Sequence, residues 1–215
     1  MLVEKRTALI VGATGLIGNF VVNELLASDK YAKVKILVRG SMPKQHPKLD
    51  TIVFDFDNPD ASLIEADDVY CCLGTTMKKA GSKDAFYKVD YVYPYEIAKM
   101  AQANGTKRFA IVTAMGADKD SAIYYNRVKG EIEASLKKVG FEALLMFRPS
   151  LLLGTRPHKR TGEQIGETLM KWFRPFIPEK YRAIEASKVA GAMVVIMTST
   201  VKGNIVYESD VLQEF

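Results

Sequence analysis

The stretch TALIVGATGLIGNF, residues Thr7–Phe20, decides how this chain folds. Its first half is a short continuous apolar run, which is typical of a strand buried inside a parallel sheet. Gly12, Gly15 and Gly18 follow in a G-x-x-G-x-x-G pattern and open a segment with apolar residues at helical spacing. This context predicts a dinucleotide-binding loop, and the alternative is a plain glycine turn between two core elements.

Each part of this loop has a physical reason to contact or admit a dinucleotide. The first glycine permits a tight turn, the second lets the backbone approach a pyrophosphate, and the third lets helix and strand pack closely. The first N–H groups of the helix have no acceptor within the helix and therefore favour an anion in front of them. Thr14 in the turn and Leu16 and Ile17 at the helix start are candidate cofactor contacts.

Segments of strand length and segments of helix length alternate along most of the chain. This alternation predicts an α/β fold with a doubly wound parallel sheet, which binds ligands at the carboxyl ends of its strands where the strand order reverses. The predicted strands are Thr7–Ala13, Lys33–Arg39, Thr51–Phe56, Asp68–Gly74, Arg108–Ala114, Phe141–Pro149 and Asn204–Ser209. The first predicted helix begins near residue 16. Further helices are predicted over about 85–103, with a kink or a restart at Pro94, and over about 121–138, 163–173 and 186–198.

Length and composition restrict the class of protein. The chain has 215 residues, enough for one domain over 1–215, and no stretch is long and apolar enough to span a bilayer. The net charge of +5 suits an anionic small molecule, and a nucleic-acid partner is not expected. Cys71 and Cys72 are adjacent and the two histidines, His46 and His158, lack ligand spacing, so we expect neither a disulfide nor a metal site. A reducing cytoplasm is the expected location.

The end of the second predicted strand indicates which dinucleotide binds. Folds that bind NAD usually place an acidic residue there, about 20 residues after the glycines, for the ribose 2′-hydroxyl. Here Arg39 occupies that place, and no carboxylate lies between Asp29 and Asp50. A guanidinium favours a 2′-phosphate, so the sequence predicts NADP, with NAD less favoured, unless Arg39 is only a solvated strand end.

Two further strand ends carry candidate cofactor contacts. Asp55 and Phe56 end the third predicted strand and could flank an adenine, although Asp55 could equally cap a turn. Leu73, Gly74 and Thr75 close the fourth predicted strand, where small residues would let a dinucleotide pass. The alternative for this second group is an ordinary turn.

The segment SAIYYNRVKGEIEAS, residues Ser121–Ser135, carries the candidate catalytic pair. Tyr125 and Lys129 are four residues apart, so a helix places them on one face, while Tyr124 is rotated away from them. A lysine beside a phenol favours the phenolate and could make Tyr125 a working proton donor. The same spacing also arises by chance on an amphipathic helix.

Several motifs in order resemble the atypical short-chain dehydrogenase/reductase family, and within it the Tat-interacting-protein-like oxidoreductases and their bacterial relatives. The motifs are GATGLIG, CCLGTT followed by AGS, MGAD, YNRVKGEIE and FRPSLLLGTR, which together span Gly12 to Arg156. The resemblance implies a Rossmann fold that binds NADP, with a small C-terminal substrate lobe within residues 150–190. It also implies that Tyr125 is the general acid/base for a small carbonyl or alcohol substrate and that Lys129 holds the nicotinamide ribose.

The resemblance implies further site residues and shows where this chain departs from the family. Pro149 and Ser150 fall where family members line the nicotinamide pocket. Many active members carry a serine at the end of the fifth strand, whereas here Thr113 supplies the hydroxyl. The family's usual asparagine is replaced in its region by Asp90 and Tyr91. These departures keep a second hypothesis open, namely a catalytically weak NADP-binding regulatory module with a protein partner or a homodimer.

Overall fold

The computed structural model describes residues 5–40, 42–154 and 178–215, and a parallel sheet of seven strands is its main element. The strands of this part of the chain are β1 (Arg6–Val11), β2 (Tyr31–Val38), β3 (Leu49–Val53), β4 (Asp68–Cys71), β5 (Arg108–Val112), β6 (Ala143–Arg148), β7 (Leu152–Leu153), β8 (Ile184–Glu185) and β9 (Gly203–Glu208). The helices are α1 (Leu16–Ala27), α2 (Met77–Ala80), α3 (Lys83–Tyr87), α4 (Tyr93–Ala103), α5 (Tyr124–Leu136), α6 (Ala186–Met197) and α7 (Ser209–Leu212).

The order of the strands is β3-β2-β1-β4-β5-β6-β9. The chain begins in the middle of the sheet, winds outward through β2 and β3, and then returns to continue on the other side from β4. The winding direction therefore reverses between β1 and β4, and this reversal opens a crevice at their carboxyl ends. The predicted doubly wound sheet and Rossmann fold are confirmed.

The central strands are apolar because both faces of the sheet are covered. All residues of β4 and β5 are buried, as parallel strands with helices on both faces require. On β1, Ala8 and Ile10 belong to one core and Leu9 and Val11 to the other, because successive side chains point to opposite faces. Helices α1 and α6 contribute to the first core, and α4 and α5 contribute to the second.

The long predicted helix around Pro94 is interrupted, as the sequence indicates. A π-helical turn (Lys88–Val92) lies between α3 and α4, and the N–H of Tyr93 donates to the carbonyl of Lys88, five residues back. Pro94 stands in the first turn of α4, where its missing N–H costs nothing. The wider turn contains Asp90, which it places inside the protein at 1% exposure.

A polar cluster holds the amino ends of the strands, on the opposite side of the sheet from the crevice. The Asp68 carboxylate accepts a hydrogen bond from the Tyr31 hydroxyl at 2.7 Å and pairs with Arg6 at 3.1 Å. Arg108 donates to the carbonyl of Met197 at the end of α6 and to that of Val201. Because the last carbonyls of a helix lack partners within it, Arg108 ties α6 to the sheet.

Several predicted element ends need correction. The third strand is Leu49–Val53 rather than Thr51–Phe56, because its pairing with β2 ends at Val53 and the chain then turns at Asp55. The fourth strand stops at Cys71, and the chain continues in irregular form to the start of α2. The predicted helix near 163–173 lies outside the described residues, as does most of the predicted lobe, which therefore stays a prediction. The parts of the lobe that are described include the pairing of β7 with β8.

We expect Gly18→Ala to destabilise the fold, because the added Cβ would lie 2.2 Å from the carbonyl oxygen of Gly12. Overpacking of this kind typically costs about 1–3 kcal/mol. The matched control is Gly191→Ala in α6, where an added Cβ has nothing within 4 Å, so stability should rise by about 0.5–1 kcal/mol. Urea unfolding of both variants measures the difference, and equal stability of the two would contradict the close packing of α1 on the loop.

Candidate active site

A cavity of about 860 Å³ occupies the crevice at the carboxyl ends of β1, β4 and β5. It extends from the glycine loop to the half-buried first turn of α5. Ten of the residues predicted from the sequence line it, namely Thr14, Gly15, Leu16, Ile17, Leu73, Gly74, Thr75, Thr113, Tyr125 and Lys129. The structure thus brings the predicted loop and the predicted catalytic pair to one cavity, although they are far apart in the sequence.

The glycine loop has a shape that only glycine allows. Gly12 has φ +88°, and a Cβ on it would lie 2.5 Å from the carbonyl oxygen of Cys72 at the end of β4. Gly15 is exposed at the rim of the cavity, and its N–H donates to the carbonyl of Gly12 at 2.9 Å. Gly12 and Gly18 therefore shape the loop from within, whereas Gly15 faces the space that a ligand would use.

The start of α1 fits the phosphates of a dinucleotide. The residue before the helix is Gly15, which has no side chain to cap it, so the N–H groups of Leu16 and Ile17 lack an acceptor within the helix. Both residues line the cavity. Free N–H groups and the positive end of the helix dipole together favour an anion at this point.

A buried ion pair forms the floor of the cavity beneath Gly74. The Lys129 ammonium lies 2.7 Å from Oδ1 of Asp90, with side-chain exposures of 5% and 0%. The other carboxylate oxygen of Asp90 accepts the N–H of Thr75 at 2.9 Å. A Cβ on Gly74 would lie 3.5 Å from Asp90 Oδ1 and 3.7 Å from Lys129 Nζ, so the backbone of Gly74 lies directly against the pair.

Lys129 is held in its charged form despite complete burial. Burial lowers the pKa of its ammonium, but the Asp90 carboxylate and then the Tyr125 phenol raise it, and the net pKa is raised. Opposite charge outweighs desolvation here because the carboxylate is in direct contact with the ammonium. The site therefore contains a fixed, buried cation next to the candidate proton donor.

The two adjacent tyrosines have different surroundings. Tyr125 is half-buried, packs on Phe86 with ring centroids 5.6 Å apart, and lines the cavity. The Tyr124 hydroxyl donates to the carbonyl of Lys83 at 2.9 Å. The cations of Lys83 and Arg127 lie over its ring and form cation–π contacts with it. Only Tyr125 is among the residues of the cavity wall.

Thr113 reaches the cavity, but its hydroxyl has a partner in the protein interior. Its Oγ1 donates to Glu133 Oε1 at 2.6 Å, and Glu133 is 2% exposed. Arg148 donates to both oxygens of Glu133, at 2.9 and 2.5 Å, and also pairs with Glu208 at 3.0 Å. The hydrogen bonds that Arg148 donates to Glu133 raise the pKa of its guanidinium above the usual arginine value. Thr113 thus belongs to a buried network as well as to the cavity wall.

Three predicted cofactor contacts lie outside this cavity, near the ends of β2 and β3. Arg39 is exposed directly after β2 and has no ion-pair partner among the described residues. Asp55 is exposed and is held in its own turn, where it accepts the N–H of Asp57 and the side-chain amide of Asn58. The ring of Phe56 packs between Phe54 and Tyr93.

Pro149 and Ser150 also lie outside the cavity wall. Both are buried, and the carbonyl of Pro149 accepts the N–H of Met115 at 3.1 Å. The Ser150 hydroxyl donates to the carbonyl of Arg182 and accepts a hydrogen bond from the Ser209 hydroxyl at 2.9 Å. Ser150 therefore connects the end of β6 to the C-terminal elements.

Sequence reasoning gave no role to several residues that line the cavity. Asp90 is the most important, since it fixes Lys129; the sequence placed it only in the region of the family's usual asparagine and assigned it no contact. Asn19, Phe20, Met42, Thr76, Lys79 and Leu152 also line the cavity without having been predicted as contacts. Asn19 and Phe20 lie in α1 directly after Gly18, so the helix that the loop opens brings them to the cavity.

The thiols and the other side chains of the described part suggest no further cofactor chemistry. Burial raises the pKa of Cys71 to about 12 and that of Cys72 above its usual range, so both are neutral thiols. Over residues 5–40, 42–154 and 178–215, no group of three or more potential ligands could hold a metal ion. The same ranges contain no helix that is both long and apolar enough to cross a membrane.

The fold and the cavity define a dinucleotide-binding protein, and comparison with known sequences identifies its family. The family of NAD(P)H-binding proteins matches residues 12–145. Protein HTATIP2 of Rattus norvegicus is 36% identical over 166 residues, covering 74% of this chain and 68% of that protein. Protein FMP52, mitochondrial, of Candida albicans is 31% identical over 208 residues, covering 93% of this chain and 91% of that protein. The chain belongs to the NAD(P)H-binding family, as a relative of HTATIP2 and FMP52, and the resemblance seen in its motifs is confirmed.

Solved structures share the fold at low identity. Bordetella bronchiseptica WbmH in complex with NAD+ superposes with a TM-score of 0.72 at 16% identity, covering 96% of this chain and 76% of that chain. UDP-glucuronic acid 4-epimerase from Bacillus cereus in complex with NAD gives 0.67 at 13% identity, with coverage of 94% and 77%. These neighbours support the Rossmann architecture.

We expect the Asp90–Lys129 pair to be strongly coupled in stability. Removing one partner of a buried pair typically costs about 3–5 kcal/mol, because the other charge is left without water or a counterion. Lys129→Met and Asp90→Asn should each lower the free energy of unfolding by about that amount, while the double variant should recover much of the loss.

Denaturant unfolding of the four proteins of this double-mutant cycle measures the coupling. Glu96→Gln is the control, since it removes an exposed carboxylate that pairs with Lys99 on α4 and should change stability little. Additive losses in the double variant would show that the two charges do not depend on each other.

Proposed function

We propose that this protein is an NADP-dependent oxidoreductase that acts on a small carbonyl or alcohol substrate. The observation that carries the proposal is that Tyr125 and Lys129 line the same cavity as the glycine loop and the start of α1. A surface pair on an amphipathic helix would not be expected to share a cavity with a phosphate-binding loop. Membership of the NAD(P)H-binding family supports the cofactor class.

Different residues of the chain would bind the cofactor, transfer the proton and stabilise the charge in such a reaction. The bound cofactor supplies hydride chemistry, and the loop around Gly15 with the N–H groups of α1 holds its phosphates. Tyr125 gives a proton to the substrate oxygen during reduction and accepts it during oxidation, as a general acid/base. The Lys129 cation stabilises the phenolate that remains after the proton has left.

A preference for NADP follows from Arg39. It stands at the end of β2, where a 2′-phosphate is expected, and no ion-pair partner among the described residues competes for it. Its guanidinium can bind a phosphate through two parallel hydrogen bonds. Asp55 and Phe56, at the end of β3, are the proposed neighbours of the adenine.

The second candidate is a regulatory module that binds NADP and a protein partner with little turnover. One observation favours it. The hydroxyl of Thr113, in the place of the family's serine, donates to Glu133 rather than being held for a substrate oxygen. Tight NADPH binding without reduction of any carbonyl compound would select this candidate.

The place of action and the assembly state are also proposals. We propose a cytoplasmic location, on the basis of the reduced adjacent thiols, and a homodimer or another protein as a candidate partner. The FMP52 relatives carry the word mitochondrial in their names. Fractionation of cells that express the tagged chain distinguishes the two locations.

We predict that Tyr125→Phe lowers the rate of NADPH-dependent reduction by roughly 10²–10⁴-fold, because only the hydroxyl that donates the proton is lost. NADPH affinity should remain unchanged. The assay uses a carbonyl compound found by screening with NADPH. Tyr124→Phe is the matched control and should have little effect, since Tyr124 is not among the residues that line the cavity. A Tyr125→Phe enzyme as fast as the parent would refute the catalytic assignment.

We predict that the protein binds NADPH more tightly than NADH by roughly ten- to a hundredfold. The reason is a charge-assisted contact between Arg39 and the 2′-phosphate, typically worth about 1.5–3 kcal/mol. Arg39→Ala should remove most of this preference and leave the NADH affinity nearly unchanged. Lys33→Ala, which removes another exposed cation of β2, is the control in the same calorimetric titrations. Equal affinities of the parent for both dinucleotides would exclude the preference.

A further inference from the structure

Lys79 is a charged residue of the cavity wall to which the proposed reaction assigns no role. It lies on α2, which follows the irregular segment after β4, and it is exposed. The Thr76 hydroxyl accepts the N–H of Lys79 at 3.3 Å, and Gly81 ends the helix in the left-handed conformation. The backbone that carries Lys79 is therefore held at both ends of this short helix.

The charge of Lys79 is not balanced by the rest of the described cavity wall. The charged residues that line the cavity are Lys79, Asp90 and Lys129. Asp90 and Lys129 form an ion pair at 2.7 Å, so their fields largely cancel at a distance. Within the described part of the chain, Lys79 has no ion-pair partner and its ammonium donates no hydrogen bond. The described wall therefore has a net positive charge that favours an anion in the cavity.

Two packed helices connect Lys79 to the candidate proton donor. Helix α2 packs against α3, and Phe86 of α3 packs on the ring of Tyr125 with the centroids 5.6 Å apart. The phosphates of a dinucleotide have their own donors elsewhere, in the N–H groups at the start of α1. Lys79 is therefore available to the second molecule that reacts in the cavity, the substrate.

We propose that Lys79 selects a carbonyl or alcohol substrate that also carries an anionic group, of which a carboxylate is the simplest. This assignment names the substrate class of the proposed function and rests on it. An ammonium forms a stronger, charge-assisted hydrogen bond with a carboxylate than with a neutral ester of similar shape. In this arrangement Lys79 binds the anionic end of the substrate, and Tyr125 exchanges a proton with the reacting oxygen.

The test compares aldehydes that differ in one charge. Succinic semialdehyde and 4-carboxybenzaldehyde each carry a carboxylate, and the methyl ester of each has a similar shape without the charge. Calorimetry measures their binding to the complex of the protein with NADP+, which holds no hydride that could reduce an aldehyde. We expect at least one acid to bind roughly five- to tenfold more tightly than its ester, between the effects of an exposed ion pair and of a desolvated one. Added salt should reduce this ratio.

Three variants assign the preference to one side chain. Lys79→Met removes the charge from the cavity wall, and the ratio of acid to ester affinity should fall to about one. Lys78→Met is the matched control, because Lys78 is the exposed neighbour on the same helix and is not among the residues that line the cavity. It should keep the ratio of the parent, and Lys79→Arg should largely restore it. Circular dichroism and the melting temperature check that all three variants are folded.

The outcomes distinguish the role of Lys79 from the proposed function. If neither acid binds more tightly than its ester, or if Lys79→Met keeps the ratio of the parent, Lys79 does not select an anionic substrate. An equal loss in Lys78→Met overturns the assignment too, as does weaker NADPH binding in Lys79→Met with an unchanged ratio, since the lysine then binds the phosphates of the dinucleotide. Absence of NADPH oxidation with every carbonyl compound would refute the oxidoreductase assignment but would not alter a ratio measured on the NADP+ complex.

Discussion

The close contact between the glycine loop and the end of β4 is the constraint on which the rest of the site depends. A side chain on Gly12 would collide with the carbonyl of Cys72, and one on Gly18 would collide with the carbonyl of Gly12. These contacts let α1 start directly against the sheet at the point where the strand order reverses. The short distance between the glycine loop and the end of β4 therefore places the free N–H groups of α1 beside Gly74 and the ion pair, at one cavity.

The architecture could be predicted because its signals are local. Continuous apolar runs mark the buried strands, helical spacing marks α1 and α5, and the glycine pattern marks the turn between β1 and α1. Strand ends were less predictable, because they are set by pairing with the neighbouring strand rather than by composition. Thus Phe56 continues an apolar pattern beyond Phe54, whose N–H makes the last hydrogen bond to β2, at the carbonyl of Val38.

The chemistry of the site was only partly predictable, because side chains distant in the sequence complete it. Tyr125 and Lys129 are visible as a pair since they occupy one face of one helix. Asp90 reaches Lys129 only through the packing of the π-helical turn against α5, which no short sequence pattern encodes. The direction of the Thr113 hydroxyl likewise depends on Glu133, whose own position is fixed by Arg148.

Two buried charges next to the cavity, those of Lys129 and Glu133, are paired with opposite charges, and this limits the movement of their side chains. Lys129 is paired with Asp90, and Glu133 is paired with Arg148. A charge that is buried away from water is stable only beside an opposite charge. The Asp90–Lys129 pair therefore holds Lys129 in the cavity wall, and the Arg148–Glu133 pair holds the acceptor of the Thr113 hydroxyl. Paired charges contribute little net field at the mouth, where Lys79 lies exposed. An exposed cation there and the free N–H groups at the start of α1 both favour an anionic ligand over a neutral one.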